Sequence, residues 1–91
     1  MVLDFEWDDE KAASNEDKHT VPFSYATRVF LDSAHVDFDV SRTNEHEVRR
    51  KAVGSIEGLI FSVVYTMRGD LRRIISARRA NKKETESYGK I

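Results

Sequence analysis

The sequence predicts an α+β fold, a small domain that combines an antiparallel sheet of four to five strands with two N-terminal helices and a C-terminal helix. Apolar residues recur at helical spacing in the first third of the chain, whereas after residue 35 they alternate with polar residues, as in strands. A tight-turn signal, Gly69-Asp70, separates two apolar runs and favours a hairpin. Because 91 residues can bury one modest core, we expect a single domain over residues 1–91.

The N-terminal third is expected to hold one short strand and both N-terminal helices. A period-2 pattern predicts the strand at Leu3, Phe5 and Trp7. Residues 10–19 lack Pro and Gly, and Asp8 or Asp9 is placed to cap the helix that they form. Pro22 marks the start of the second helix, for which we expect Ser24 as the cap. The apolar face of that helix comprises Phe23, Ala26, Val29 and Phe30.

The rest of the chain is typical of a four-stranded meander followed by a helix. We expect strands over residues 36–40, 48–56, 59–66 and 71–77, and a polar turn over residues 42–45. The third of these strands is nearly all apolar, which indicates a central position in the sheet. Asn81 is expected to cap the last helix, residues 82–88, with Glu84 completing a capping box.

Charge is divided sharply along the chain. Residues 1–47 contain 12 acids and 4 bases, whereas residues 48–91 contain 4 acids and 11 bases. Seven of these bases lie between residues 68 and 83, around the end of the last strand, and guanidinium groups bind phosphate in a bidentate manner. We therefore expect a polyanion site there. The alternative is that the acidic half only neutralises the basic half within one fold.

Several classes of protein and site are disfavoured. The chain has no cysteine, which excludes disulfides and thiolate metal sites and fits a reducing compartment. No apolar run is long enough to cross a bilayer and no signal peptide is visible, so we expect a cytoplasmic protein without membrane contact. His35 and His46 are isolated, so we expect no metal site. No nucleotide-binding loop predicts a cofactor.

The order of motifs resembles the BrnT toxin family over almost the whole chain. The N-terminal half carries the Glu-Trp-Asp opening and, after it, a Lys-His pair, and the C-terminal half carries the strand Arg-Ile-Ile-Ser-Ala-Arg; together these are specific. The matching positions are Phe5-Glu6-Trp7-Asp8, Lys11, Asn15, Lys18-His19, Val21, Phe23, Ala26, Val29-Phe30, Glu47, Arg49, Gly54, Val63-Val64-Tyr65-Thr66, Arg73-Ile74-Ile75-Ser76-Ala77-Arg78, Glu84 and Tyr88.

This resemblance implies a RelE-like fold and a toxin of a bacterial type II toxin–antitoxin system. It implies a metal-independent endoribonuclease without a cofactor, which cleaves RNA and inhibits translation. It also implies a BrnA-type antitoxin, a DNA-binding protein that neutralises the toxin in a hetero-oligomer and alone contacts operator DNA. The family usually has glycine after Lys-His, where this chain has Thr20, so we expect the first helix to end differently here.

Metal-free RNA cleavage needs a base for the ribose 2′-hydroxyl, an acid for the departing 5′-oxygen and cations for the phosphate. Lys18 and His19 are the acid–base candidates, because they share one helical face with Lys11 and Asn15 and histidine titrates near neutrality. The alternative is that Lys18 and His19 only complement the negative end of the helix dipole.

The C-terminal half supplies the candidates for phosphate binding. Arg49 and Arg78 are expected to stabilise the scissile phosphate, unless they form ordinary ion pairs with the acidic half. Alternation along the last strand predicts that Arg72, Ile74, Ser76 and Arg78 share one face. Further contacts to RNA are expected from Arg72, Ser76, Arg79, Lys82 and Lys83.

Aromatic residues and a second class of function complete the expectations. Tyr65 and Tyr88 are candidates for base stacking, with a core position favoured for Tyr65, and Trp7 is either a core residue or an anchor for the antitoxin.

A non-catalytic interaction or RNA-binding protein of the same fold is the alternative function. Such a protein would bind RNA with a steep salt dependence and create no new RNA ends. Direct operator binding is disfavoured because no helix-turn-helix pair is predicted.

Overall fold

A five-stranded sheet and three α-helices make up residues 4–43 and 46–89, the part of the chain that the computed structural model describes. The strands are β1 (Asp4–Trp7), β2 (Val36–Asp39), β3 (Arg49–Ile56), β4 (Leu59–Arg68) and β5 (Leu71–Arg79). The helices are α1 (Asp9–His19), α2 (Phe23–Ala26), a 3₁₀ helix (Thr27–Leu31) and α3 (Lys82–Tyr88). None of the helices in this part of the chain is long and apolar enough to cross a membrane.

The strands lie in the order β1-β5-β4-β3-β2, so β4 is central, as its apolar sequence predicts. The meander β2 to β5 is antiparallel throughout, which confirms the predicted α+β class. The prediction of an antiparallel sheet is wrong for β1, which runs parallel to β5. In that register Glu6 lies opposite Arg73 and forms an ion pair with it, while Phe5 and Trp7 pack against the core.

Two tight turns set the register of the meander. Glu57-Gly58 and Gly69-Asp70 each connect strands across two residues, and Glu57, Gly58 and Gly69 have positive φ. β4 and β5 each run two residues further than the sequence pattern predicts, so the strand β5 includes Arg79. Two of the sequence expectations, the strand residue Leu3 and the second half of the polar turn over residues 42–45, fall on positions outside the described residues.

One face of the sheet, here called the helical face, packs on α1, α2 and the 3₁₀ helix. Phe30 is at the centre of its aromatic cluster, with ring centroids 5.5 Å from Phe5 and 5.0 Å from Tyr65. A Cβ at Gly54 would lie 3.0 Å from the backbone oxygen of Val29, so only glycine allows β3 to approach the 3₁₀ helix this closely. The buried core comprises Val21, Phe23, Ala26, Val29, Phe30, Ala52, Ile56, Phe61, Val63, Tyr65, Ile74 and Ala77.

The second predicted helix is divided into the short α2 and the 3₁₀ helix. Pro22 is at the N-cap position with extended backbone, and α2 starts at the next residue. The expectation that Ser24 is the cap is therefore wrong; Ser24 lies inside the helix, and its backbone oxygen accepts a hydrogen bond from Thr27 Oγ1. Pro22 has no side-chain acceptor, and its backbone oxygen accepts the hydrogen bonds of the first turn, from Tyr25 N at 3.1 Å and Ala26 N at 3.0 Å.

Helix α1 begins and ends at well-defined caps. Asp8 accepts hydrogen bonds from the backbone nitrogens of Glu10 and Lys11, which confirms it as the N-cap. At the other end, Thr20 adopts the left-handed conformation, φ 58° and ψ 25°, and its N–H donates to Glu16 O at 2.8 Å. The expectation of a different helix end is therefore wrong: Thr20 takes the conformation that glycine adopts most easily.

Candidate functional site

The first cavity of the site, here called the α1 cavity, lies between α1 and β5. It has a volume of about 230 Å³ and is lined by Lys11, Ser14, Asn15, Lys18, His19, Ile75 and Ser76. The sequence prediction that Lys11, Asn15, Lys18 and His19 share one helical face is therefore confirmed. Lys18 is exposed and His19 is half-buried, so both side chains are accessible from this cavity.

Asn15 fixes α1 against β5. Strand β1 pairs with β5 only as far as Ile74, and beyond that point the side-chain amide of Asn15 takes the place of a neighbouring strand. Its Nδ2 donates to Ala77 O at 2.8 Å, and its Oδ1 accepts from Ala77 N at 3.1 Å. A buried amide that pairs both backbone groups of one residue holds helix and strand in one register. This contact therefore fixes the position of Lys18 and His19 along the length of β5.

A β-bulge in β5 changes the face that its later residues occupy. Val64 pairs with Ser76 and Tyr65 pairs with Ile74, which leaves Ile75 as an extra residue. Ile74 and Ala77 are consequently both in the core on the helical face, although they are three residues apart. The prediction that Arg72, Ile74, Ser76 and Arg78 share a face is wrong, because strict alternation fails at Ile75.

The opposite side of the sheet, here called the groove face, carries the second cavity. This central cavity has a volume of about 280 Å³ and adjoins the α1 cavity, since Ile75 and Ser76 line both. Arg49 and Arg78, the two residues predicted from sequence to bind the scissile phosphate, both line it. Its other lining residues are Val40, Arg42, Lys51 and Val64.

Arg78 is held by the carboxylate of Glu84 on α3. Arg78 Nη1 and Nη2 each donate to a different Glu84 oxygen at 2.8 Å, and Lys51 Nζ donates to Glu84 Oε2 at 2.8 Å. The alternative of an ion pair is thus realised for Arg78, but with two cations on one carboxylate, so the cluster keeps a net positive charge. The two partners differ in exposure, because the side chain of Glu84 is 5 % exposed whereas that of Arg78 is 37 % exposed.

The remaining donors of Arg78 point to an open edge. Its bonds to Glu84 and a third from Nη1 to Arg79 O at 3.1 Å use three of five N–H groups among the described residues. The other two, Nε–H and the second Nη2–H, lie on one edge of the planar guanidinium. This is the geometry in which arginine binds two oxygens of a phosphate.

Glu84 is ionised under all ordinary conditions. Burial by itself raises the pKa of this carboxyl, but the hydrogen bonds from Arg78, Lys51 and the backbone of Asn81 outweigh it and lower the pKa to about 2. Glu84 also completes the predicted capping box with Asn81, which is confirmed. The same carboxylate therefore begins α3 and orients two cations of the central cavity.

Two of the other predicted RNA-binding arginines lie on the helical face. The guanidinium of Arg72 lies 5.0 Å from the ring centre of Phe30, and that of Arg79 lies 5.5 Å from the ring centre of Phe61. Neither is among the residues that line the α1 or central cavity in the described part of the chain. Lys82 is exposed in the first turn of α3, and Lys83 lines a third cavity beside that helix.

The aromatic candidates are held by hydrogen bonds. Tyr65 is in the core, as favoured from the sequence, and donates to Asp37; burial and this bond raise its pKa to about 12. Tyr88 donates to Asp32, and Trp7 packs edge-on against Phe23, 6.0 Å between ring centres.

Sequence reasoning missed Lys51 and the anchoring roles of Asn15 and Glu84. Lys51 is the last residue of the basic run Arg49-Arg50-Lys51, and alternation along β3 places it on the face of Arg49. That signal was present in the sequence. The bond from Glu84 back to Arg78 spans six residues and a change of element, for which no local pattern exists.

Comparison with known proteins identifies the family of this chain. No curated protein matched the chain. A family model described as the ribonuclease toxin BrnT of type II toxin–antitoxin systems matches residues 7–84, which include α1, all of β2 to β5 and Glu84. Toxins of this type have a protein antitoxin as partner. The chain belongs to the BrnT family of ribonuclease toxins.

Proposed function

We propose that this toxin is a metal-independent endoribonuclease that cuts RNA where the α1 cavity meets the central cavity, at Ser76. Lys18 and His19 supply acid–base groups from one side, and Arg49 and Arg78 supply positive charge from the other. The observation that supports the proposal is that Ile75 and Ser76 line both cavities. We expect one phosphodiester bound across these two residues to reach both sets of groups.

The proposed reaction is an intramolecular transesterification. A base of the α1 cavity takes the proton of the ribose 2′-hydroxyl, the 2′-oxygen bonds to phosphorus, and the bond from phosphorus to the 5′-oxygen breaks. An acid returns a proton to that 5′-oxygen, so the products are a 2′,3′-cyclic phosphate and a 5′-hydroxyl. Both reacting groups belong to one nucleotide step, so holding them in line supplies much of the rate enhancement.

Arg78 and Arg49 stabilise the charge that develops on the phosphate oxygens. The open edge of Arg78 offers two parallel donors, and Glu84 fixes the plane of the guanidinium before RNA binds. Donors that are already oriented contribute more to the transition state than donors that must reorganise, and one such donor contributes roughly 10²–10³-fold. Lys51, Lys82 and Lys83 attract the neighbouring backbone phosphates.

Cleavage of messenger RNA in the cytoplasm would inhibit translation, so the toxin must be covered when it is not needed. We propose a BrnA-type antitoxin whose acidic or amphipathic segment packs over the central cavity in a hetero-oligomer. Complementary charge would steer that association and speed it. Operator DNA would be bound by the antitoxin, not by this chain.

Incubation of purified toxin with a defined RNA in the presence of EDTA tests the activity. We expect new ends that carry 2′,3′-cyclic phosphate and 5′-hydroxyl, together with growth arrest when the toxin is expressed without an antitoxin. Both effects should be lost in His19→Ala and Lys18→Ala, with Arg28→Ala, an exposed cation outside both cavities, as the matched control. Intact RNA, whether bare or bound to ribosomes, would contradict the proposal.

The ion pair between Arg78 and Glu84 favours one second candidate, an RNA-binding protein of the same fold that does not cut. If the carboxylate silenced Arg78 as a phosphate ligand, the remaining cations would still bind RNA. RNA binding that weakens steeply with salt while no new ends appear would identify this case.

A further inference from the structure

The third cavity, here called the α3 cavity, lies on the groove face between the edge strand β2, β3 and α3. It has a volume of about 270 Å³ and shares Val40 and Lys51 with the central cavity. The three cavities therefore form one continuous basic groove, from Lys18 on α1 to Lys83 on α3. Glu84 is the one carboxylate among the described residues that line the three cavities, and Arg78 and Lys51 already neutralise it.

Phe38 gives the α3 cavity an aromatic surface. It is 38 % exposed, and among residues 4–43 and 46–89 it is the aromatic member of the exposed large apolar side chains. Phe38 is opposite Lys51 in the register of β2 and β3, so its ring lies beside a cation that the central cavity also uses. An apolar ring next to positive charge matches a ligand with a flat apolar face and an anionic backbone.

Polar groups at the rim of the α3 cavity can contact the edge of such a ligand. Asn81 uses its Oδ1 to accept from Glu84 N, so its two Nδ2 donors stay available. Ser87 donates its hydroxyl proton to Glu84 O at 2.7 Å, which leaves the oxygen lone pairs as acceptors. A nucleobase edge presents both donors and acceptors, so a rim that offers both can bind it.

We propose that the α3 cavity is a nucleobase subsite, in which Phe38 stacks on an unpaired base and Asn81 and Ser87 contact the edge of that base. The subsite rests on the proposed function, because the base belongs to the RNA strand whose phosphate lies at Ser76. Arg49 and Lys51 are two residues apart on β3, about 7 Å, so the stacked base is about one or two nucleotides from the cut.

This subsite would give the toxin a preference for single-stranded RNA. A base must leave its stack to reach Phe38, which costs little in a loop and much in a duplex. An antitoxin segment over the same ring is the competing occupant. The polar rim favours RNA, because Asn81 and Ser87 offer both donors and acceptors for the edge of a base that is stacked on Phe38.

An abasic scan tests the subsite. First the cut in a model RNA is mapped with wild-type toxin and EDTA; then a 2′-deoxy nucleotide at the cut allows affinities to be measured without cleavage. Removing one base at a time should weaken wild-type binding about 5- to 30-fold at one position next to the cut, in the lower half of the range for base–aromatic stacking. Phe38→Ala should lose the same factor with the intact RNA and no further affinity at the abasic position.

Two matched variants separate stacking from folding. Phe38→Trp should retain the affinity and Phe38→Leu should lose it, with both variants folded by circular dichroism. Leu59→Ala removes a similarly exposed apolar side chain outside the groove and should change nothing. Binding that is equally weakened by every base removal, or unchanged in Phe38→Leu, overturns the subsite.

The failure of the subsite and that of the proposed function give different results. If wild-type toxin leaves the RNA uncut and unbound, both fail. If it cuts normally but Phe38→Leu shows the wild-type abasic profile, only the subsite fails. A Phe38→Leu variant that binds RNA normally and loses affinity for the antitoxin assigns the ring to the antitoxin instead, which also overturns the subsite.

Discussion

On the helical face of β5, Arg72 and Arg79 lie over the rings of Phe30 and Phe61, whereas on the groove face Arg78 is bonded to a carboxylate and keeps two donors open. Arg78 and Arg79 are neighbours in sequence with opposite surroundings. The difference shows that the number of cations near the end of a strand does not indicate which of them can bind an anion. The bulge at Ile75 determines this, because it sets which side chains lie on the groove face.

Substitution of the two neighbouring arginines would give the sharpest contrast. We expect Arg78→Ala to reduce RNA cleavage by about 10²–10³-fold, since it removes preoriented donors from the phosphate. Arg79→Ala should reduce cleavage less than about 3-fold, because its guanidinium lies on Phe61. Initial rates with one RNA and growth arrest measure both effects. Equal losses in the two variants would remove the distinction between the faces.

Acid unfolding tests the contribution of the ionised Glu84 carboxylate, the partner of Arg78, to the stability of the fold. The pKa of Glu84 is about 2 in the folded protein and near 4.5 when unfolded, so its contribution is complete above pH 4.5 and is lost as the pH falls towards 2. The loss amounts to at most about 3 kcal/mol of unfolding free energy. Urea unfolding from pH 5 to pH 2 should show this drop in wild type relative to Glu84→Gln. Parallel curves would disprove the coupling.

At neutral pH, Glu84→Gln tests whether the carboxylate positions Arg78 for catalysis. The amide keeps one acceptor but cannot bind both guanidinium nitrogens as a charged pair, so we expect cleavage to fall about 10-fold. The loss should appear in kcat more than in KM, since overall charge in the groove rises by one. A purely structural role predicts lower stability with kcat unchanged, and Glu86→Gln, the same change at an exposed position of the same helix, serves as the control.

The smallest expected effect concerns the end of α1. A β-branched residue with φ 58° is strained by about 1–2 kcal/mol, and substitution by glycine relieves this strain. Part of the relief is offset because glycine has greater conformational freedom in the unfolded chain. Thr20→Gly should therefore raise the unfolding free energy by about 0.5–1 kcal/mol, or the melting temperature by about 2–6 °C. Thr20→Ala should not stabilise. Cleavage by the Thr20→Gly variant should be unchanged, because Asn15 still fixes the position of Lys18 and His19 along β5.

Local patterns predicted most of the fold. The caps at Asp8 and Asn81, the hairpin at Gly69-Asp70 and the central position of β4 all follow from neighbouring residues. The parallel pairing of β1 and the division of the second helix depend on packing between distant segments, and no short-range pattern encodes them.

The sequence predicted which residues line the candidate site better than it predicted how the fold arranges them. Arg49 with Arg78, and Lys18 with His19, each line one of two adjoining cavities, and their catalytic roles stay predictions. The bulge at Ile75 could not be read from alternation, because an extra residue leaves no mark in an apolar run. Alternation predicts a strand over residues 36–40 but not its place at the edge of the sheet, which leaves Phe38 partly exposed.

The amide of Asn15 has a consequence for the toxin when it is released from its antitoxin. The outer rim of β5 beyond Ile74 would otherwise present free N–H and C=O groups, to which a strand of another molecule could attach. Asn15 occupies both backbone groups of Ala77 in that stretch. At Ala77, therefore, the rim of β5 has no free backbone groups to which a strand of another molecule could add.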